Sequence, residues 1–274
     1  MIEFLEVRKM EINKIYNMDC LEGMEMLDDK SIDMILCDLP YGATACEWDT
    51  IIPFEPLWKQ YKRIIKDNGA IVLTASQPFT SALVMSNIKM FKYEWIYKKT
   101  KATGFFDAKK RPLNDYEDVC VFYDKQPIYN PQMTIAGKIY KRGFVKRKKS
   151  DCYGEEKDFK QKESGLRYPK RIIEIQNADT KNIVHPTQKP VALFEYLIKT
   201  YTNKNELVLD NCMGSGTTAV SCLRTNRNFI GFEWSPIEPH DKYYDIAIKR
   251  IAKFDKKYLN ELTEEKKPQQ TQLF

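Results

Sequence analysis

The hydrophobic residues of the chain fall mainly in short unbroken runs. Four of these runs are IDMILCD (32–38), AIVLTAS (70–76), ELVLD (206–210) and NFIGFE (228–233). Apolar runs of this length are typical of parallel strands that are buried on both faces of a sheet. Short apolar or aromatic-rich segments predict further strands at 13–19, 92–99 and 116–124.

Segments with a helical spacing of apolar residues separate these strands. PLWKQYKRIIKDNG (56–69) has one apolar face and closes on Asn68-Gly69, a typical signal for a helix C-terminus. We expect the other helices at 20–29, 191–201, 217–226 and 241–260. Strands that alternate with helices predict an α/β fold with a doubly wound, mostly parallel sheet and helices on both faces.

The periodicity fades between residues 125 and 182, where lysine, glycine and polar residues dominate. We expect an inserted and more exposed region there. This insertion would divide one α/β domain into a first half at 1–124 and a second half at 183–260, followed by a polar tail at 261–274.

Composition narrows the class of protein. Of the 274 residues, 43% are hydrophobic and 30% are charged, as in soluble globular proteins. No apolar stretch is long enough to span a bilayer and the charged N-terminus lacks a signal-peptide core, so we expect a cytoplasmic protein with no membrane partner. Seven scattered cysteines without a CxxC pair, and only two histidines, argue against a metal site and predict free thiols.

The net charge of +6 is unevenly distributed. KIYKRGFVKRKK (138–149) holds seven basic residues and no acid, and KKTK (98–101) and KKR (109–111) add to the excess. Basic runs are most often solvated surface. Here aromatic residues such as Tyr140 and Phe144 stand between the charges, a pattern that suits a polyanion such as nucleic acid.

A glycine turn follows the strand that ends at Asp210. Gly214 and Gly216 allow the backbone to turn tightly and approach a ligand, and a helix begins at Thr217 with free N–H groups. About twenty residues further on, the next strand ends at Glu233, where nucleotide-binding folds place an acid for ribose hydroxyls. This succession predicts a site for an adenosine-containing ligand.

An acid also ends the strand at 32–38. Asp38 is followed by Leu39, Pro40 and Tyr41. A carboxylate at a strand end is costly if it is buried without a partner. The carboxyl ends of strands are also where open α/β sheets bind their ligands. Asp38 is therefore a candidate for a working acid.

Three segments together resemble a known enzyme family. DLPYG (38–42) looks like the Asp-Pro-Pro-Tyr catalytic motif of S-adenosylmethionine-dependent DNA amino-methyltransferases. DNCMGSGTT (210–218) resembles their cofactor loop, and HPTQKP (185–190) resembles the segment that precedes it. Catalytic motif, target-recognition region and cofactor loop follow in the order of the family's β group. The resemblance implies a Rossmann-like methyltransferase fold, with 125–182 as the target-recognition insertion.

The resemblance implies catalytic roles. Asp38 and a backbone carbonyl of Leu39 or Pro40 would accept N–H bonds from the amine of a base flipped out of double-stranded DNA, and Tyr41 would stack on that base. Leu39 replaces the family's usual proline, which is tolerable because the family uses mainly the backbone carbonyl here. NDYE (114–117) stands where the family often has a His-Glu pair, so the role of that histidine is not transferred.

The resemblance also implies S-adenosyl-L-methionine as cofactor. Asp19 would lie near the adenine ring, with a helix N-cap as its alternative role. Glu233 would bind the ribose, and Thr187 and Lys189 the cofactor's carboxylate. Asp210 would order the glycine turn or contact the cofactor. The predicted cofactor-binding set is Asp19, Asp38, Thr187, Lys189, Asp210, Asn211, Cys212, Gly214, Ser215, Gly216, Thr217 and Glu233.

Several functional alternatives stay open. The acid at position 38 favours N6 of adenine, because the family's N4-cytosine enzymes more often carry serine there. The alternatives are an N4-cytosine enzyme, an inactive DNA-binding relative, and a methyltransferase of RNA or protein. Within the insertion we expect phosphate contacts from Lys141, Arg142, Lys146 and Arg147. Asn211 and Cys212 replace the usual proline and phenylalanine of the cofactor loop, which would loosen contact with the methionine moiety.

The C-terminal segment KKPQQTQLF (266–274) is polar and predicts a flexible tail. Its end, Gln-x-x-Leu-Phe from Gln270 to Phe274, resembles the short motif by which bacterial replication and repair proteins dock on the sliding clamp. The clamp is therefore a candidate partner besides DNA. The sequence leaves the oligomeric state open, a homodimer included.

Overall fold

The structure, a computed structural model, describes residues 10–44, 46, 49–135, 165–176, 188–234 and 243–253. The chain forms two compact units, a larger one of residues 1–130 and 171–274 and a smaller one of residues 131–170. Within the described ranges, no helix is long and apolar enough to cross a bilayer. The same ranges contain no group of three His, Cys, Asp or Glu side chains that could hold a metal ion.

Ten strands and five α-helices have defined bounds. The strands are β1 (Lys14–Tyr16), β2 (Ile32–Asp38), β3 (Ile65–Ala75), β4 (Phe91–Thr103), β5 (Asn114–Phe122), β6 (Thr134–Ile135), β7 (Leu166–Arg167), β8 (Ile172–Ile175), β9 (Leu207–Asp210) and β10 (Asn228–Phe232). The helices are α1 (Cys20–Glu25), α2 (Phe54–Ile64), α3 (Phe79–Ser86), α4 (Val191–Tyr201) and α5 (Thr217–Arg224). Residues 243–253 are also helical.

Eight strands form the main sheet in the order β1-β10-β9-β2-β3-β5-β4-β8. β1, β10, β9, β2 and β3 are mutually parallel, and β5 is antiparallel to both of its neighbours. The carboxyl ends of β2, β9 and β10 therefore meet at one edge of the sheet, where ligands bind in folds of this type.

Alternate strand residues face opposite layers of helices. Met34 and Leu36 of β2 pack in one core cluster, which includes residues of α4 and α5. Ile35 and Cys37 pack in a second cluster, with residues of α1, α2 and α3. Both faces of the sheet are thus covered, which explains why the strand reads as an unbroken apolar run. The prediction of a doubly wound, mostly parallel α/β sheet is confirmed.

The predicted end of the second helix is wrong. α2 ends at Ile64, Ile65 is already extended, and β3 runs through Asn68-Gly69. A Cβ on Gly69 would lie 2.8 Å from the carbonyl oxygen of Asp33, so this glycine permits a close approach of β2 and β3. The register between these strands shifts at this point. Gly69 therefore serves strand pairing and not a helix cap.

The region predicted as an insertion contains a strand of the main sheet. β8 lies within 125–182, but it pairs in parallel with β4, with Tyr97 opposite Ile173. Ile173 is buried in the core, which accounts for its place in the sheet. In the smaller unit, β6 and β7 form a separate antiparallel pair.

Candidate active site

The carboxyl ends of β2, β9 and β10 open onto a cavity of about 700 Å³. Asp38 and Asp210 are the last residues of their strands, and Glu233 directly follows its strand. The predicted site residues that line the cavity are Asp19, Asp38, Leu39, Pro40, Tyr41, Lys189, Asp210, Asn211, Cys212, Gly214, Ser215, Thr217 and Glu233. Two segments far apart in sequence, DLPYG and DNCMGSGTT, thus border one space.

Asp38 has donors on both carboxylate oxygens. The Tyr41 hydroxyl donates to Oδ1 over 2.7 Å, and the Thr74 hydroxyl donates to the same oxygen. The Lys189 ammonium donates to Oδ2 over 2.7 Å. Thr74 meets Asp38 because the two residues are in register on the parallel strands β2 and β3. The carboxylate is paired, so its place at a strand end carries no penalty of an unpartnered charge.

A second carboxylate shares Lys189. Glu117 Oε2 lies 3.2 Å from Lys189 Nζ, and Glu117 Oε1 lies 2.7 Å from Lys99 Nζ. These three side chains are 9–13% exposed. Burial lowers the pKa of Lys189, but the charges of Asp38 and Glu117 outweigh it and raise that pKa. We call Asp38, Lys189, Glu117 and Lys99 the charge row, since acids and lysines alternate along it.

Sequence reasoning missed Glu117 and Lys99 as members of the site. β5 is antiparallel to β3, so the beginning of β5 lies at the edge where the parallel strands end. Glu117 lies directly before the buried residues of β5, and the pair of acids Glu117-Asp118 before the apolar run VCVF was the available signal. The sequence pattern singled out the segment that contains Glu117, NDYE (114–117), only because it lacks the family's histidine.

Tyr41 is oriented by both its ring and its hydroxyl. The ring stacks on Phe79 with centroids 5.2 Å apart, and Lys189 Nζ lies 5.5 Å from the Tyr41 ring centroid. Burial, followed by the charges of Asp38 and Glu117, raises the pKa of Tyr41, so the hydroxyl stays protonated and donates to Asp38. Stacking of Tyr41 on a flipped base stays a prediction.

The loop after Tyr41 is organised by Asp49. Its carboxylate accepts the backbone N–H groups of Gly42, Ala43 and Thr44 over 2.7–2.9 Å. These three bonds cap the loop. Leu39 buries its side chain in the core and so can offer the site only its backbone carbonyl. This arrangement explains how leucine fits where the family usually has proline.

The glycine turn is tied to both neighbouring strands. Asp210 accepts the Cys212 N–H over 3.0 Å and the Thr218 hydroxyl, and burial raises its pKa to about 6. Gly214 has a φ of +52° and donates its N–H to Glu233 over 2.6 Å. Burial raises the pKa of Glu233 to about 7. Asp210 therefore orders the turn, one of its two predicted roles.

The start of α5 is held from a distant part of the chain. Gly216 is absent from the cavity wall, and a Cβ there would lie 3.3 Å from the Cβ of Ala247. Arg250 donates over 3.1 Å to the carbonyl and hydroxyl oxygens of Ser215 and to the Thr217 hydroxyl. Gly216 thus permits close packing, and Arg250 is a positioning residue that the sequence pattern did not indicate.

The two unusual residues of the turn have partners in the core. The Tyr61 hydroxyl of α2 donates to Asn211 Oδ1 over 2.5 Å. The Asn211 amide donates to the Cys212 sulfur over 3.5 Å, and Cys212 packs against the core cluster that contains residues of α1, α2 and α3. A polar pair can therefore replace proline and phenylalanine here, because Tyr61 binds Asn211 and the core accommodates Cys212.

Asp19 caps α1. Its Oδ1 accepts the N–H groups of Leu21 over 2.8 Å and Glu22 over 3.3 Å. The N-cap alternative is confirmed, and contact with an adenine ring stays a prediction. The other predicted residues fall outside the described ranges; they are Thr187, Lys141, Arg142, Lys146, Arg147 and the tail at 261–274.

Comparisons with known proteins identify relatives of the chain. A family model described as DNA methylase, of the N6 and N4 type, matches residues 32–269. The chain is similar to the type II methyltransferase M1.MboII of Moraxella bovis, with 30% identity over 249 residues that cover 81% of this chain and 92% of that protein.

Two solved structures share the fold. The M1.HpyAVI–SAM complex has a TM-score of 0.57 and 24% identity, and the match covers 86% of this chain and 98% of that one. The cytosine-N4-specific PvuII DNA methyltransferase has a TM-score of 0.61 and 16% identity, with 90% and 92% covered. Because the family model spans most of the sequence, the chain belongs to the S-adenosylmethionine-dependent DNA amino-methyltransferases, which modify N6 of adenine or N4 of cytosine.

Proposed function

We propose that the protein methylates the N6 amine of adenine in double-stranded DNA. The observation that carries the proposal is the Asp38 carboxylate, which three donors hold at the cavity that the glycine turn also borders. A carboxylate is a stronger acceptor for an amine N–H than the serine hydroxyl common in the N4-cytosine enzymes.

Asp38 can make the target amine reactive. The exocyclic amine of a base is a poor nucleophile because its lone pair is delocalised into the ring. An acceptor that binds one of its N–H groups draws the nitrogen toward tetrahedral geometry and localises that lone pair. Each carboxylate oxygen has two lone pairs. Lys189 uses one on Oδ2, so the other can receive the amine.

Asp38 can also receive a proton. After methylation the nitrogen carries one proton too many for a neutral secondary amine, and Asp38 is the base positioned to take it. The Lys189 ammonium, 2.7 Å from Oδ2, holds the Asp38 carboxylate in place at the cavity. Glu117 pairs with the Lys189 ammonium and Lys99 pairs with Glu117, so both act as positioning residues.

The cavity fits S-adenosylmethionine, which when bound supplies an activated methyl group. A Cβ on Gly214 would meet no atom within 4 Å, so the turn faces open space. Glu233 would bind the ribose hydroxyls, and Asp19 would lie near the adenine ring. We assign Lys189 to Asp38 and not to the cofactor's carboxylate, because Asp38 and Glu117 already engage its ammonium.

We expect the affinity for S-adenosylmethionine to rise about tenfold between pH 6 and pH 8. Glu233, whose pKa is raised to about 7, gains its charge over this range, and an ionised carboxylate accepts hydroxyl groups more strongly than a protonated one. Calorimetry across this range measures the effect. Glu233→Gln should bind S-adenosylmethionine more weakly, and its affinity should lose this pH dependence except for any contribution from Asp210. An equally steep dependence in the variant would contradict the role of Glu233.

Product analysis tests the proposed base. The purified protein reacts with unmethylated plasmid DNA and S-adenosylmethionine. The nucleosides of this DNA are then separated and identified by mass spectrometry. We expect N6-methyldeoxyadenosine with the wild type and at most a trace with Asp38→Ala in the same reaction time. Detection of N4-methyldeoxycytidine would replace our assignment by the second candidate, N4-cytosine methylation, which the same acceptor geometry also suits. Absence of both products would overturn the proposal. Modification-sensitive sequencing of the same DNA identifies the target site.

Further partners follow from the sequence alone. We propose that the insertion at 125–182 recognises the DNA target and that Lys141, Arg142, Lys146 and Arg147 bind phosphates there. The Gln-x-x-Leu-Phe end of the tail remains a candidate segment for docking on a sliding clamp.

A further inference from the structure

Two neighbouring phenylalanines project from the protein surface. Phe105 is 70% exposed and Phe106 is fully exposed, at 106%. Among the described residues, Phe106 is the most exposed large hydrophobic side chain. Exposed apolar groups that stand together on a loop often mark a binding surface.

The turn that carries them is well defined. Gly104 has a φ of +89° and precedes a 3₁₀ turn at Phe105–Asp107. The backbone N–H of Lys110 donates to the Asp107 carbonyl over 2.8 Å, and Arg111 donates to the Asp107 carboxylate over 2.6 Å. These contacts fix the turn that carries the two rings. We call Phe105 and Phe106 the aromatic tip.

The aromatic tip lies beside the candidate active site. Lys99 and Thr103, both on β4, line the same cavity as Asp38. Phe106 follows Thr103 by three residues, so their Cα atoms are at most about 11 Å apart. The tip would therefore be within reach of a duplex that delivers a base to this cavity.

The charge around the tip suits a polyanion. Between residues 98 and 111 there are six basic residues and one acid, Asp107. Lys109 and Lys110, which follow the aromatic tip, are exposed. A purely apolar partner would gain nothing from these charges, whereas DNA offers phosphates for the lysines and a base stack for the rings.

We propose that the aromatic tip inserts into the DNA base stack and fills the space left by the flipped base. This inference rests on the proposed function, since it requires that a base leave the duplex. Apolar side chains that enter a base step compensate for the stacking lost there. Phe106 would make the main contact, because it is the more exposed ring, and Phe105 would support it.

Methylation kinetics test the inference. The target site found by sequencing is placed in two synthetic duplexes, one with the target base paired and one with it opposite an abasic site. We expect Phe105→Ala/Phe106→Ala to lower the single-turnover rate on the paired duplex about ten- to hundredfold. The rate on the abasic duplex should stay within about threefold of the wild type, because no base pair must be broken there.

Two variants serve as controls. Phe106→Trp keeps an aromatic wedge and should retain most of the rate on the paired duplex. Met85→Ala removes a side chain on α3 that is 70% exposed, as is Phe105, and should change neither rate. Equal loss on both duplexes, or no loss on the paired one, would overturn the inference.

A photochemical experiment requires no turnover. p-Benzoylphenylalanine is introduced at position 106 or, as the control, at position 85, and the protein is irradiated with duplex DNA. We expect crosslinks to bases from position 106 and none from position 85. If the wild type proves inactive but the variant labelled at position 106 crosslinks to bases, the proposed function would be contradicted but not the aromatic tip. An active wild type with no crosslink to bases at 106 would contradict the tip alone.

Discussion

Asp38→Ala is expected to lower the single-turnover rate of methyl transfer about a thousandfold, within the range found when an acid–base group is removed. The variant loses the acceptor for the amine N–H and the base that takes the released proton. Tyr41, Thr74 and Lys189 also lose their common partner. Affinity for S-adenosylmethionine should change little, because the glycine turn is held by Asp210 and Glu233.

Asp38→Asn separates the charge of Asp38 from its shape. The amide has nearly the same size but only one acceptor oxygen, and it carries no negative charge for Lys189. We expect almost the same loss of rate as with alanine. Single-turnover methylation measures the rate, calorimetry measures cofactor affinity, and thermal melting shows whether the fold persists.

Asp33→Asn is the matched control for Asp38. Asp33 lies on the same strand and also pairs with a lysine, Lys66, over 2.6 Å, but it is close to the other end of β2. Its substitution should leave the rate of methyl transfer unchanged in protein that remains folded. If Asp38→Asn retained a rate within tenfold of the wild type, or if Asp33→Asn lost as much, the assigned role of Asp38 would be wrong.

Gly214→Trp is expected to weaken the binding of S-adenosylmethionine at least a hundredfold. A Cβ on Gly214 meets no protein atom within 4 Å, so the indole would extend into the cavity and occupy the space of the cofactor. The φ of +52° adds backbone strain, which costs roughly 1–2 kcal/mol for a residue with a side chain. Calorimetry measures the loss of affinity.

Gly104→Trp is a control that separates the effect of backbone strain from that of obstructing the cavity. Gly104 has a φ of +89°, and a Cβ there also meets nothing within 4 Å, but the residue is not part of the cavity wall. The variant should bind S-adenosylmethionine as the wild type does. Equal affinity of Gly214→Trp and the wild type would show that the cofactor does not occupy the space beside the turn.

The sequence alone determined the strands and helices whose local pattern agrees with their burial. The bounds of β2 and α4 match the apolar run at 32–38 and the helical spacing at 191–201. It also indicated that Asp38, Asp210 and Glu233 each end a strand, where open α/β sheets bind their ligands. That inference is reliable because parallel strands present their carboxyl ends on the same side.

The contacts among these residues depended on the tertiary structure. Glu117 reaches Lys189 because β5 is antiparallel to β3, and strand direction is not encoded in the apolar run itself. Asn211 meets Tyr61 across 150 residues of sequence. No local sequence pattern predicts a contact of this kind, because the two partners come together only when the chain packs.

Gly69 shows the same limit for the backbone. An Asn-Gly pair after an amphipathic segment is a sound local signal for a helix end, yet the chain was already extended from Ile65. The pairing of β3 with β2, which places Ile65 opposite Ile32 and Ala70 opposite Met34, outweighed the local preference. Only the neighbouring strand, which approaches Gly69 at Asp33, decided the conformation there.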